Sequence, residues 1–474
     1  MCIRDSYDTA WIARLVEIGE PIGELALEWL REHQLPDGSW GAEHPCYYHD
    51  RVICTLAAIN ALARRASPRD RGRLRRAETA LEITTSRLHE DSAGETIGFE
   101  LIAPTLFQEA KALGALHHEE MTVLKSLAPL RSAKLAMLPN GMINRSVTMA
   151  FSIEMAGTDG KDLLDIEHLQ EQNGSISYSP SATAYFALYV RRRDPNALAY
   201  LRSVAADGTA PNVSPIDVFE LAWVLWNLKY VIDSLDERIL DLCQSHLDHL
   251  LWSWTPGMGT GFTKNYAPKG GDETSIVYDV LKYYGRSVDI DAVLSYEKSY
   301  YFRCFAIESN PSISANSHVL GALQQAGFEK THPTIKKILR FLDKSRTNNT
   351  FWVDKWHTSP YYATSHGAIA CMEYNDQMAS NAIEWILSAQ NADGSWGYYA
   401  PTAEETAYCL QALAIWKRHH NDQIHTDVLQ RGQEWLMQHI NPPYPPLWIG
   451  KCLYCTELVV KSAILSALTL VESF

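Results

Sequence analysis

Long apolar runs are missing from this sequence. None reaches the ~18 residues that a membrane-spanning helix needs, so no spanning segment is expected. Nothing like a signal peptide precedes Tyr7, and the abrupt passage from Met1–Ser6 into Tyr7-Asp-Thr-Ala-Trp11 reads as a natural N-terminus missing or replaced. Long basic clusters are missing too. The net charge is −14 and runs of Lys and Arg are short, such as Arg191-Arg192-Arg193, which argues against nucleic acid as a partner. Paired CxxC motifs are also absent. The nine cysteines are odd in number and scattered, and Cys452-Leu-Tyr-Cys455 stands alone. That pattern reads as reduced, buried thiols in a cytoplasmic protein, and not as a disulfide framework or a zinc site.

Large apolar and aromatic residues are plentiful. Apolar residues make up 46% of the chain, with 14 Trp and 23 Tyr. That is enough for sizeable cores and for pockets lined by rings. A length of 474 residues exceeds one ordinary compact domain, so two are expected. Helical periodicity runs through most long segments: Ile383, Ile386 and Leu387 share a face, as do Ala407, Leu410 and Ala414. Gly and Pro cluster between such runs, where they end helices. Strand-like alternation is scarce, so the expected fold class is all-α.

A repeat supports this. Glu28-Trp-Leu-Arg-Glu-His-Gln-Leu-Pro-Asp-Gly-Ser-Trp40-Gly returns as Glu384-Trp-Ile-Leu-Ser-Ala-Gln-Asn-Ala-Asp-Gly-Ser-Trp396-Gly. Weaker copies stand at Ile166–Ile176 and from Glu434-Trp435 to Trp448, where chance recurrence of a common turn is a fair alternative. In each unit a helix ends, Asp-Gly makes a turn, and Trp packs back on the helix end while Gln ties the loop. Repeated helix–turn units argue for a toroid or solenoid of paired helices.

With these units in view, the sequence resembles the class II terpene cyclases, relatives of squalene–hopene cyclase and copalyl diphosphate synthase. Tyr7-Asp-Thr-Ala-Trp11, Gly98-Phe-Glu-Leu-Ile-Ala-Pro104, Ser179-Pro-Ser-Ala-Thr183, Pro211-Asn-Val-Ser-Pro-Ile-Asp217 and Asp354-Lys-Trp-His-Thr-Ser-Pro-Tyr-Tyr362 match that family in order. Ser312-Ile-Ser-Ala-Asn-Ser-His-Val-Leu320 resembles its bacterial and fungal members. The resemblance implies two α-helical (α/α) barrel domains, the family's β and γ types. The β domain, carrying the catalytic acid, would combine residues 1–19 with 213–474, and the inserted γ domain would span 20–212. Class I, metal-ionising terpene synthases use Asp-Asp-x-x-Asp, and no Asp-Asp pair occurs in this chain.

Protonating an alkene needs a carboxylic acid that is still neutral when substrate binds, and a dry site keeps it so. The family's Asp-x-Asp-Asp is matched by Gly270-Gly-Asp272-Glu273-Thr274. The resemblance makes Asp272 the acid, with Glu273 in place of the third carboxylate and Gly270 in place of the first. The same stretch is also a good helix start with Asp272 as its N-cap. Asp289-Ile-Asp291 mimics half the motif but sits in a polar loop. His318 matches a family Asn or His that hydrogen-bonds the acid, and a satisfied core histidine is the alternative reading. Trp356 and Tyr361 are expected to face the carbocation, whose charge aromatic rings stabilise. Plant-type ent-copalyl synthases carry a His and an Asn that hold a water base. Phe151 replaces that His here, and Asn212 retains the Asn. Glu95 and Glu100 resemble the family's Mg²⁺–diphosphate segment, and hard carboxylate oxygens suit Mg²⁺. Lys134 and Lys264 match basic residues near the diphosphate.

The resemblance thus implies cyclisation of geranylgeranyl diphosphate to a bicyclic, labdane-type, copalyl-like diphosphate. Farnesyl diphosphate closing to a drimenyl-type product is the alternative. The missing first carboxylate keeps a non-catalytic isoprenoid-binding descendant open as well. A retained diphosphate would pass to a class I terpene synthase downstream.

Overall fold

The computed structural model describes residues 5–117, 122–308, 310–420 and 424–474. Among these the strands are one short antiparallel ladder, Trp448–Ile449 with Leu453–Tyr454. The chain packs as two units: Ile216–Pro445 with Thr456–Phe474, and Cys2–Pro215 with Pro446–Cys455.

In the first unit six helices follow one another in a closed ring. They are Asp217–Leu228, Gly271–Tyr283, Ile313–Gln325, Pro360–Cys371, Ala403–His420 and Glu457–Val471, and the last packs back on the first. Glu237–Ser253, Pro333–Lys344, Asp376–Ser388 and Thr426–Gln438 lie against them as an outer layer. The two layers differ in sequence character because they differ in surroundings. All of Gly271–Leu281 is buried, as expected of a helix enclosed on every side. Pro333–Lys344 buries only a stripe, with Ile335, Ile338 and Leu342 at helical spacing.

The second unit has the same plan on a smaller scale. Ser6–Ala13, Tyr48–Arg65, Phe99–Ala112, the 3₁₀ segment Thr148–Ala156 and Pro180–Tyr185 form its ring, with Pro21–Glu32, Arg71–Ser86, Thr122–Ala136 and Pro195–Val204 outside. The expectation that 1–19 belong with 213–474 fails here. Ser6–Ala13 is wholly buried within this second ring. Trp11 stands edge-on to Tyr185 with centroids 6.0 Å apart, and Arg14 pairs with Glu109 at 2.5 Å. The boundary itself falls at Pro215–Ile216, close to the expected 212–213. The late segment Pro446–Cys455 also joins this unit. Lys451 enters its core fully buried and donates to Glu154 Oε1 at 2.7 Å, Ser179 Oγ at 2.7 Å and the Phe151 carbonyl at 2.9 Å. A buried ammonium is tolerable because these acceptors replace its lost water.

The repeat turns share one construction. Trp40 Nε1 donates to the Leu30 carbonyl at 2.8 Å, and Trp396 Nε1 to that of Ile386 at 2.7 Å. Gln34 and Gln390 donate to the Gly38 and Gly394 carbonyls at 2.8 and 3.0 Å. Both glycines have φ of +93°, a conformation that costs other residues strain. Each Trp backbone N–H is then fastened to a threonine of the next ring helix, Thr55 or Thr406. The degenerate copy keeps this fastening, with the Ile176 N–H on Thr183 at 2.9 Å. Trp352 repeats it on Thr364 at 3.0 Å, although its turn lacks the Gln and Asp-Gly signature. Trp448 lies instead in the two-stranded ladder, so its segment is not a fourth repeat turn.

Trp396 is fully buried, whereas Trp356 is partly exposed and stands in a loop. Trp396→Ala is expected to cost about 3–5 kcal/mol, through the cavity and the lost Ile386 bond, and Trp356→Ala less than about 1 kcal/mol. Denaturant unfolding of the two variants checks this. An equal loss from both would contradict the role given to the turn.

Candidate active site

The helix Gly271–Tyr283 starts where two backbones close on it. The Gly270 N–H donates to the Thr260 carbonyl at 2.9 Å, and the Gly271 N–H to that of Cys304 at 2.8 Å. A Cβ on Gly271 would strike the Arg303 carbonyl, so only glycine admits this approach. Gly270 is the N-cap, which leaves Asp272 inside the first turn and not in the capping position. Asp289 does serve as a loop tie, accepting from Trp254 Nε1 at 2.8 Å and the Gly257 N–H at 2.7 Å.

Asp272 is buried, and its Oδ1 lies 2.5 Å from Nδ1 of His318. His318 is delivered by Ile313–Gln325, whose start is held by Asp354. That carboxylate accepts from the Ile313 N–H at 2.6 Å, Ser312 Oγ at 2.9 Å and Ser314 Oγ at 2.7 Å. His318 Nε2 lies 2.8 Å from Nδ1 of His366 on the next ring helix, Pro360–Cys371. The His366 ring stacks on Trp226 at 4.3 Å, and Tyr362 lies 4.4 Å from it. Trp223 stands edge-on to His318 at 5.6 Å and donates from Nε1 to the Tyr362 hydroxyl at 3.0 Å. Four ring helices thus bring a carboxyl, two imidazoles and three large aromatic rings to one place.

The divergent motif has a spatial explanation. Glu273 is buried, and its carboxyl folds back toward Gly270. A Cβ at 270 would collide with Glu273 Oε2 and come within 3.1 Å of Phe305. The longer Glu therefore occupies the room that a side chain at 270 would need. Burial first, and then any charge on Asp272, push the Glu273 carboxyl up to about 8. His366 is driven the other way: burial, then His318, His357 and Lys229, hold its ring well below the usual histidine range, in the neutral form. The hydrogen-bond partner of Asp272, His318, is therefore backed by a neutral ring.

Comparison with known proteins agrees with this chemistry. Residues 303–448 match the family model described as the squalene-hopene cyclase C-terminal domain. A type B diterpene cyclase of Mycobacterium tuberculosis is 49% identical, over 98% of this chain and 95% of the relative. The chain belongs to the class II diterpene cyclases. An ent-copalyl diphosphate synthase from a Streptomyces species is 29% identical over 93% of this cyclase and 87% of the relative. The structure of ent-copalyl diphosphate synthase from Streptomyces platensis superposes with a TM-score of 0.80 at 29% identity, covering 100% of this chain and 96% of that one. These matches agree with two rings of paired helices of the α/α barrel type.

The remaining expected residues fall in different settings. Trp356 lies edge-on to Phe305, 6.4 Å away, and Phe305 flanks the acid's turn. Tyr361 turns away from His318 and packs on Trp385 at 4.9 Å; its neighbour Tyr362 is the ring beside the acid. Lys264 lies over the exposed Trp252 ring. In the other unit Lys134 pairs with Glu100 at 2.5 Å. The Glu95 carboxyl is pushed up by burial and then by the charge of Glu100, and Asp91 binds His49 at 2.6 Å. Phe151 lies against Tyr178 and 4.6 Å from the Lys451 ammonium. Asn212 is fully buried and donates to Cys452 Sγ at 3.0 Å and to Asp8 Oδ2 at 3.4 Å. His366, Trp223 and Trp226 were not among the expected site residues. Tyr362 and His366 are four residues apart and share a helix face, which is the sequence signal for His366 once Tyr362 is placed.

Restoring the family's first carboxylate should therefore harm this cyclase. Gly270→Asp is expected to lower kcat/KM by roughly tenfold or more, a loss of about 1.4 kcal/mol or greater in transition-state stabilisation. Shortening the competitor in Gly270→Asp/Glu273→Asp should recover much of it. Steady-state kinetics of the two variants check this, and a fully active Gly270→Asp enzyme would contradict the packing argument.

Proposed function

We propose that this cyclase closes geranylgeranyl diphosphate to a bicyclic, labdane-type, copalyl-like diphosphate and leaves the diphosphate uncleaved. The observation that carries the proposal is the buried Asp272, held through one oxygen by His318 beside Trp223, Trp226 and Tyr362. Asp272 gives its proton from Oδ2 to C14 of the substrate's terminal alkene, leaving a tertiary cation at C15. Attack by the 10,11 and then the 6,7 double bond forms two rings. A final proton loss gives the product. The aromatic faces stabilise the migrating charge without offering it a nucleophile. After donation Asp272 is an anion that still accepts from His318 Nδ1–H, so the proton's departure does not strand a bare charge.

We assign Mg²⁺ as the cation that accompanies the diphosphate, with Glu95 and Glu100 as its carboxylate ligands. A Glu95 carboxyl whose ionised form is disfavoured by burial and then by the charge of Glu100 fits a hard divalent cation, and Lys134 adds a positive charge. Mg²⁺ bound there supplies charge neutralisation for the diphosphate. The described part of the chain has no helix long and apolar enough to cross a membrane. Among the described residues no cysteine forms a disulfide, and we take that usage to favour the cytoplasm as the place of action. A retained diphosphate makes the product a substrate for a class I synthase that ionises it.

Incubation with geranylgeranyl and farnesyl diphosphates and with squalene, followed by phosphatase and mass spectrometry, tests the proposal. A bicyclic C20 alcohol is expected, with Asp272→Asn slower by roughly 10²–10⁴-fold. Turnover of only the C15 diphosphate or squalene, or no cyclised product, would overturn it.

A further inference from the structure

We propose that His366 is a positioning residue that locks His318 as its neutral Nδ1–H tautomer and so decides which oxygen of Asp272 carries the proton. The proposal rests on the reading of Asp272 as the acid. The three groups form an unbranched chain: Asp272 Oδ1 to His318 Nδ1 at 2.5 Å, then His318 Nε2 to His366 Nδ1 at 2.8 Å. The chain ends at His366 Nε2, which is buried and has no hydrogen-bond partner. Each imidazole, when neutral, carries one N–H and one lone pair. Only two arrangements of protons therefore fit.

In the first, His366 Nδ1–H donates to His318 Nε2, and His318 Nδ1–H donates to Asp272 Oδ1. The unpartnered Nε2 is then a lone pair, and the acid's proton must sit on Oδ2, the oxygen free to meet an alkene. In the second, Asp272 Oδ1–H donates to His318, and His366 ends in a buried N–H with no acceptor. An orphaned buried donor is the rarer and costlier end. Lys229, whose charge acts on the His366 ring, also favours a lone pair over a further donor. The first arrangement wins, and the apolar end of the chain selects it.

Burial, and then its charged neighbours, hold the His366 ring neutral, so its single N–H is committed to His318 Nε2. The other titratable groups around the pair are engaged. Lys229 binds Asp279 at 2.5 Å, the Tyr408 hydroxyl donates to Glu404 at 3.3 Å, and His357 Nε2 lies 3.4 Å from Glu404. The Tyr362 hydroxyl accepts from Trp223, and Glu273 lies on the helix of Asp272.

The test is kcat and KM at pH 7 with geranylgeranyl diphosphate, for the wild type, His366→Ala, His366→Asn and Asp272→Asn. His366→Ala removes the donor that faces His318 Nε2, so kcat is expected to fall roughly tenfold or more while KM changes little. His366→Asn should recover most of that loss, because its amide donates to Nε2. A His366→Ala enzyme with the wild-type kcat would overturn the role of His366, as would an Asn variant no better than Ala. Imidazole ¹⁵N spectra of the unmutated enzyme, with His318 assigned by His318→Gln, give a readout independent of how the His366 variants fold. A pyrrole-type Nδ1 and pyridine-type Nε2 at pH 7 are expected, and the reverse tautomer or an imidazolium would overturn the proposal. An active Asp272→Asn enzyme would sink the acid assignment, whereas an inactive one with an unchanged His366→Ala kcat sinks only the role of His366.

Discussion

As the proposed acid, Asp272 has to hold a proton and still release it to an alkene, and it stands inside the ring of the larger unit. An ordinary carboxyl in water is ionised at neutral pH, and a buried one next to a fixed cation is ionised as well. Here the carboxyl is enclosed, and its hydrogen-bond partner is a histidine backed by a second, neutral histidine. Closure of six helices makes this arrangement possible, since the three members of the chain come from three different ring helices. The repeat turns outside the site tie three outer helices, Pro21–Glu32, Pro333–Lys344 and Asp376–Ser388, to the next ring helix through a tryptophan and a threonine.

The motif around the acid shows how a family pattern can shift without losing its chemistry. Asp272 keeps one carboxyl neighbour, which has moved one position's worth of space. Glu273 reaches into the volume above Gly270, and burial raises its carboxyl above the usual range. The replacement of the first carboxylate by glycine and the lengthening of the third are therefore one change seen at two positions. That removes the reason for regarding the chain as a non-catalytic descendant. The membership in the diterpene cyclases, 49% identical to the mycobacterial enzyme along nearly its whole length, points the same way.

Much of this was legible in the sequence because it rests on local chemistry. Asp-Gly turns, buried tryptophans and helical periodicity are fixed by neighbours within a few residues. The barrel class followed from such patterns together with the family resemblance, and so did the expectation that His318 hydrogen-bonds Asp272, a contact seen at 2.5 Å. What was not legible depends on rotation or on distance along the chain. Tyr361 and Tyr362 are adjacent, yet a helix turns about 100° between neighbours, so one packs outward on Trp385 while the other lies beside His318. His366 needs that same rotation to be known. Residues 6–13 were expected with the larger unit, but a short, fully buried helix has no surface face to show which ring it completes. Lys451 is alike: nothing near it in sequence announces that its acceptors are Glu154 and Ser179, some 300 and 270 residues away. Trp352 took the place of a repeat tryptophan without the turn residues that signal one.

The most direct measurement is turnover of geranylgeranyl diphosphate in deuterium oxide, with the product's label located by NMR. Protonation by Asp272 predicts one deuterium at the carbon that was C14 of the substrate, in a bicyclic product that still carries its diphosphate. An unlabelled bicycle, or release of inorganic diphosphate in step with ring formation, would contradict a proton-initiated reaction at this site.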